Sequence, residues 1–309
     1  MGAPSSLFEV ESFLKNMFND PLILGIQNNF GRKMLASFIT HKRLEDTKKN
    51  YQAIGGKSPL LERTANLVKT LNALDSKRLY AFAMRYTPPF AYGVLDELKS
   101  QNIQSLVLFS LYPQFCTATI HSSLLDAKNA LQSLNFSPKL LEVSHYHAHP
   151  SYIACIVEKI KQALRGEDSK DFVLLLSAHS LPQSRIEQGD PYQKQCEENK
   201  NALESALQQQ GIMFKKIALS YQSKVGRMKW LEPSTKDAIT HFKNEKILIF
   251  PLSFTLDNSE TDYELKILYA NHAQNLGIKD YRVCDCFNAD VSFANTIIEI
   301  IQGASDEKN

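Results

Sequence analysis

The chain has 309 residues, 43% hydrophobic and 22% charged, with 35 basic against 33 acidic side chains and a net charge of +2. That composition is globular, long enough for two domains, and too close to neutral to suggest a nucleic-acid partner. No run reaches the roughly 18 apolar residues of a spanning helix, and the opening segment lacks the basic start and apolar centre of a signal peptide, so a cytoplasmic protein is expected, with peripheral membrane contact left open. The start, Met1-Gly2-Ala3-Pro4-Ser5-Ser6, fits a loose myristoylation pattern that many chains match by chance.

Along the chain, short β-rich apolar runs stop abruptly at polar, aromatic or proline residues and give way to helical stretches. Leu79 to Met84 ends in Arg85-Tyr86, Ser105 to Leu111 in Tyr112-Pro113, and Leu140 to Val143 near His145. A second set comprises Phe172 to Leu176 ending in Ser177-Ala178-His179, Lys216 to Leu219 ending in Tyr221-Gln222-Ser223, and Lys246 to Phe250 ending in Pro251. The runs are continuous in apolar residues instead of alternating, as in parallel strands covered on both faces, so an α/β fold is predicted. Helices are expected over Val94 to Leu98, Leu124 to Leu134, Tyr152 to Leu164, Gln193 to Gln209 and Ser292 to Ile301, with a frayed tail from Gly303. A boundary near Pro150 divides the chain into 1–150, 151–285 and a helix and tail, 286–309, packing back on the domains. Ligands of such sheets bind beyond the carboxyl ends of the strands, which places the site in a cleft between the domains. No G-x-G-x-x-G or G-x-x-x-x-G-K-[ST] occurs, so nucleotide binding loses its usual support. Five scattered cysteines with no C-x-x-C pair argue for reduced, buried thiols and against a zinc ribbon.

Several side chains at the strand ends carry chemistry. His179, in Ser177-Ala178-His179-Ser180-Leu181-Pro182, presents an imidazole that binds iron or takes a proton, although a hydrogen-bonded strand-end histidine reads the same. Asp257, Glu260 and Glu264, spaced i, i+3, i+7 where a strand end runs into a helix, are expected to share one face; a solvated acidic first turn is the plainer alternative. Trp230, the only tryptophan, offers a flat apolar ligand a ring or anchors its own loop. Arg85 suits a forked contact with a carboxylate, or a solvated surface pair. His145, His147 and His149 alternate as metal ligands would, yet Pro150 behind them points to a connecting loop.

Taken in order, these runs resemble the ferrochelatase family along nearly the whole chain. The resemblance is carried by Ile54-Gly55-Gly56-Lys57-Ser58-Pro59, Met84-Arg85-Tyr86, Leu111-Tyr112-Pro113-Gln114-Phe115, the His179 segment, Gly189-Asp190-Pro191-Tyr192, Tyr221-Gln222-Ser223-Lys224-Val225-Gly226 and Glu260-Thr261-Asp262-Tyr263-Glu264-Leu265. It implies two Rossmann-like domains, each a parallel sheet flanked by helices, around a porphyrin cleft. It implies insertion of Fe2+ into protoporphyrin IX, giving protohaem at the end of haem synthesis, with coproporphyrin III as second candidate and a non-catalytic tetrapyrrole carrier as rival. His179 then corresponds to the family's metal-site and catalytic histidine and Glu260 to its partner. Arg85, Tyr86, Tyr112, Trp230 and Met1 become porphyrin contacts, with Asp257 and Glu264 as a supporting acidic face. Iron is a substrate, no cofactor is held permanently, and a monomer is expected.

The chain also departs from the family pattern. Met1-Gly2-Ala3-Pro4 begins inside the N-[LM]-G-[GT]-P loop, so the first strand is expected to be missing. Arg227 stands for a usual proline, Asp262 for leucine, Lys266 for aspartate and His121 for glycine. Without the cysteine-bearing carboxyl extension of the animal enzymes, no [2Fe–2S] cluster is expected.

Overall fold

The computed structural model describes residues 1–306 apart from 225 and 227, so the expectation for Arg227 lies outside the described residues. The chain forms two units. One takes Met1–Ser110, Cys116–Ser144 and the chain from Ile297; the other takes Leu111–Phe115 and His145–Thr296.

In the first unit, β1 (Ser105–Phe109) pairs in parallel with β2 (Lys139–Val143), Ser105 lying opposite Lys139 and Phe109 opposite Val143. Helices Ala91–Ser100 and Ser122–Ser133 bury Ala91, Leu95 and Leu98 against Ala127, Ala130 and Leu131, helical spacing that gives each an apolar stripe. A separate core joins Val10, Phe13, Leu14 and Phe18 of helix Val10–Phe18 to Ala36, Tyr51 and Tyr86. Helix Asn29–Ala53 starts where the Asn28 side chain accepts the Gly31 N–H, an N-cap that the sequence reading did not use. The run Leu79 to Met84 departs from its prediction. It forms no ladder: Met84 makes one bridge to Phe90, the Tyr80 backbone bonds the Asn72 side chain, and Leu79 is exposed. A strand exists through its neighbours, and among the described residues no strand lies beside this run.

The second unit holds a parallel four-stranded sheet in the order β4-β3-β5-β6, made of β3 (Phe172–His179), β4 (Lys216–Gln222), β5 (Lys246–Pro251) and β6 (Tyr281–Val283). Every residue from Phe172 to Ala178 is buried, and so are Ile247, Leu248, Ile249 and Phe250, so both faces of the sheet are covered as continuous apolar runs require. Leu175, Ile247 and Ile249 pack with Ala238, Ile239, Leu265, Tyr269 and Ala273. Each fully buried Leu or Ile contributes about 2 kcal/mol. Pro150 sits at the first position of helix Pro150–Leu164, where its missing N–H costs nothing. The tail expected to fray from Gly303 is helical through Asp306, within Val291–Asp306. All five cysteines are free and buried. Among the described residues no helix is long and apolar enough to cross a membrane.

Candidate active site

Strands β3 and β5 are parallel neighbours with Ser177 opposite Pro251, so their carboxyl ends leave the sheet side by side. The Leu252 N–H still donates to the Ser177 carbonyl beyond the ladder, and the chain then turns through 253–259 into a helix that begins at Glu260. This brings His179 and Glu260 together: Nδ1 of the imidazole stands 3.4 Å from a carboxylate oxygen, with about 35% of each side chain exposed. The separation is that of an ion pair and too long for a strong hydrogen bond. Burial pulls the His179 pKa down, but the charge of Glu260 and its contact with the ring, aided by Glu264, outweigh it and raise the pKa above the ordinary 6.5. Phe254 presents its ring edge-on to the imidazole at 6.4 Å.

The helix is not an α-helix. Glu260–Leu268 is a π-helix, a rare form concentrated at functional sites, and the three-carboxylate face predicted from α-helical spacing does not form. Asp257 lies before the helix, where that spacing has no meaning, and its carboxylate meets Lys266 and the Asn288 amide instead. Glu264 does belong to the His179 side. Its carboxylate accepts from the Tyr269 hydroxyl (2.6 Å), the Ser223 N–H (2.9 Å), the Ser223 hydroxyl and the Gln222 amide (3.3 Å).

Gln222 was not singled out in the sequence, yet it ties the site together. It is fully buried on β4 opposite His179, and its carbonyl accepts the Ser180 N–H at 2.8 Å. Its side-chain amide donates to the Glu260 carbonyl at 3.1 Å, while its side-chain oxygen accepts from Ser177. The available signal was position alone: an uncharged amide at the end of an apolar strand.

Trp230 is half-buried and forms an antiparallel bridge with Pro182, three residues past His179, flanked by hydrogen bonds from Gln183 to Lys229 and Leu231 to Leu181. Tyr112 is also half-buried. The unit that carries Arg85 places it beside a cavity of about 450 Å³. Its guanidinium divides between two of this protein's own carboxylates, one nitrogen 3.2 Å from Asp20 and the other 3.4 Å from Asp126. Tyr86 is 2% exposed and donates its hydroxyl to Asp20 at 2.9 Å, so a porphyrin contact has no surface there to act through. The Met1 carbonyl accepts the backbone N–H groups of Arg85 and Tyr86. His147 pairs with Glu198 at 2.9 Å, and burial lowers its pKa against the opposing pull of that carboxylate. Among the described residues, no three His, Cys, Asp or Glu side chains are grouped to hold a metal ion. His179 and Glu260 stand together as one imidazole and one carboxylate.

A family model described as Ferrochelatase matches residues 1–305. The Ferrochelatase of Helicobacter hepaticus is 68% identical over 302 residues, covering 98% of this chain and 97% of its own. That of Wolinella succinogenes is 50% identical, with coverage of 97% and 95%, and that of Helicobacter pylori strain J99 is 48% identical, with coverage of 99% and 92%. In fold, the chain is similar to SirB from Bacillus subtilis with Fe3+, at a TM-score of 0.60 and 10% identity over 80% of this chain and 90% of SirB. It is also similar to the chelatase-like multi-domain DR2241 of Deinococcus radiodurans, at 0.51 and 13% identity over 77% of this chain and 50% of that one.

Proposed function

The chain belongs to the ferrochelatase family and inserts iron into a porphyrin, and we propose that its substrates are Fe2+ and protoporphyrin IX and that His179 and Glu260 carry the chemistry. The observation that carries this reading is the pairing of one imidazole and one carboxylate beyond the carboxyl ends of the two inner strands of a buried sheet. Metallation removes two pyrrole protons as one divalent ion enters, so two proton acceptors and a labile metal position are needed together. Neutral His179 binds Fe2+ through a ring nitrogen or takes a pyrrole proton, and Glu260 serves as the second ligand or acceptor. Glu264, fixed by four donors, keeps negative charge beside the pair and favours a cation there. Trp230 and Tyr112 supply apolar surface to a flat macrocycle, and Trp230 is held near His179 by the Pro182 bridge.

Arg85 acts on this reading through position: two carboxylates hold it beside the cavity, and a substrate propionate would compete with Asp126 for its fork. The protein works as a cytoplasmic monomer, with iron as substrate and not as a resident cofactor. Spectral conversion of free protoporphyrin IX to its iron or zinc form tests the activity. Conversion of coproporphyrin III in preference would reassign the substrate, and tight porphyrin binding without conversion would make the chain a carrier.

A further inference from the structure

Lys266 stands on the π-helix two residues beyond Glu264, and residues two apart on a helix point to different sides of it. Its ammonium meets three carboxylates that the chain delivers from three places. Asp262, at 3.0 Å, lies in the same helix; Asp257, at 3.3 Å, lies in the segment entering it; and Asp285, at 2.9 Å, follows β6. Asp257 is the anchor. Its carboxylate is 4% exposed and also accepts from the Asn288 amide at 2.6 Å, while the Asn288 side-chain oxygen accepts the Asp257 N–H at 3.0 Å. Glu260 follows only three residues later, its N–H capped by the Asn258 side chain at 2.7 Å.

We infer that Lys266 is a positioning residue for metal delivery, holding the entry and body of the π-helix from the side opposite the Glu264 contacts so that Glu260 stays against His179. The Glu264 contacts fix the helix to the end of β4, and the Lys266 contacts fix it to the turn before it and to the loop after β6. The π-helix is a rare form frequent at functional sites, and here these two sets of contacts tie it to the rest of its unit. With one set removed, Asp257 is left as a buried carboxylate without its cation, and the 257–260 turn that carries Glu260 shifts to relieve it. Because Lys266 acts through the turn that carries Glu260, its loss is expected to strike the metal side of the reaction and to spare macrocycle binding.

The test uses the full chain and two readouts, Zn2+ binding without porphyrin by calorimetry and KM for Fe2+ against KM for protoporphyrin IX. Lys266→Met strands the Asp257 charge, so Lys266→Met/Asp257→Asn is measured beside it, removing the tie without an unpaired carboxylate. Both are expected to weaken Zn2+ binding and raise KM for Fe2+ about tenfold, the scale at which outer partners act on a metal site. KM for porphyrin should hold, and Lys266→Arg should restore the metal affinity. The inference is overturned if the double variant binds Zn2+ as the wild type does, or if both KM values move together with a lower Tm and Arg rescues neither. Because it rests on the assignment of the His179–Glu260 pair, His179→Ala is the control. If that change abolishes Zn2+ binding while the Lys266 variants do not weaken it, the tie is wrong and the pair stands. If His179→Ala leaves Zn2+ binding intact, the pair fails and Lys266 falls with it.

Discussion

Two apolar runs of similar character end in the side chains of greatest chemical interest, Leu79 to Met84 before Arg85 and Phe172 to Ala178 before His179. The second is hydrogen-bonded on both edges and buried along its length, so His179 is aimed by backbone. The first forms no ladder among the described residues, and Arg85 is aimed by the charges of Asp20 and Asp126 and by the Ser122 hydroxyl. A run of apolar residues thus specifies only that a segment wants covering. Whether it becomes a strand, and whether backbone or side chains direct the residue at its end, depends on its neighbours.

The largest expected effect tests the backbone-aimed side. His179→Ala should reduce turnover by about 1,000-fold or more, within the range of a positioned acid–base group, while porphyrin binding measured by fluorescence quenching is kept. Arg85→Ala should instead weaken porphyrin affinity, and similar profiles for the two variants would erase the contrast. In stability, Leu175→Ala on β3 should cost about 2–5 kcal/mol by urea unfolding. Asp20→Asn should cost about 3 kcal/mol, because it removes the charge that faces Arg85 and an acceptor shared by Tyr86 and Ser122. Leu79→Ala, in the run without a ladder, should stay within about 0.5 kcal/mol. A Leu79 cost near that of Leu175 would show that the two runs are equally embedded.

The smallest effect is on pH. Because Glu260 and Glu264 raise the His179 pKa, the ring is protonated, and unable to bind iron, up to a pH above 6.5. Turnover should therefore climb through that raised value on the acid side. Glu264→Gln removes part of the cause, so the limb should move to lower pH; an unmoved limb would mean that Glu264 does not act on His179. The same sign governs stability: the protonated ring's attraction to Glu260 is fully present below 6.5 and is lost as pH rises through the folded value.

Much of the second unit was legible in the residues. Strands ending in His179, Gln222 and Pro251 could be read from their continuous apolar runs, and the meeting of His179 with Glu260 follows once β3 and β5 are neighbours. The π-helix could not be read, since α-helical spacing was the only period to apply; that is why Asp257 was assigned to a face it does not share. Tyr86 and Arg85 looked available to a ligand because Asp20, their partner, lies 65 or more residues away and carries no local sign of the pairing. Gln222 went unremarked for the opposite reason. Its neighbours in sequence announce a strand end, but only the fold shows that it bonds the Glu260 carbonyl.

The burial of every thiol has a practical side. Ferrous iron and dioxygen together generate peroxide and radicals, which attack exposed thiolates first. Here the five cysteines range from 0% to 6% exposed, and burial pushes the Cys155, Cys284 and Cys286 thiols up, away from the reactive anion. Alkylating reagents should therefore pass over the native protein. A single cysteine introduced on an exposed helix position such as Phe38 would accept a fluorophore cleanly, with none of the natural cysteines replaced.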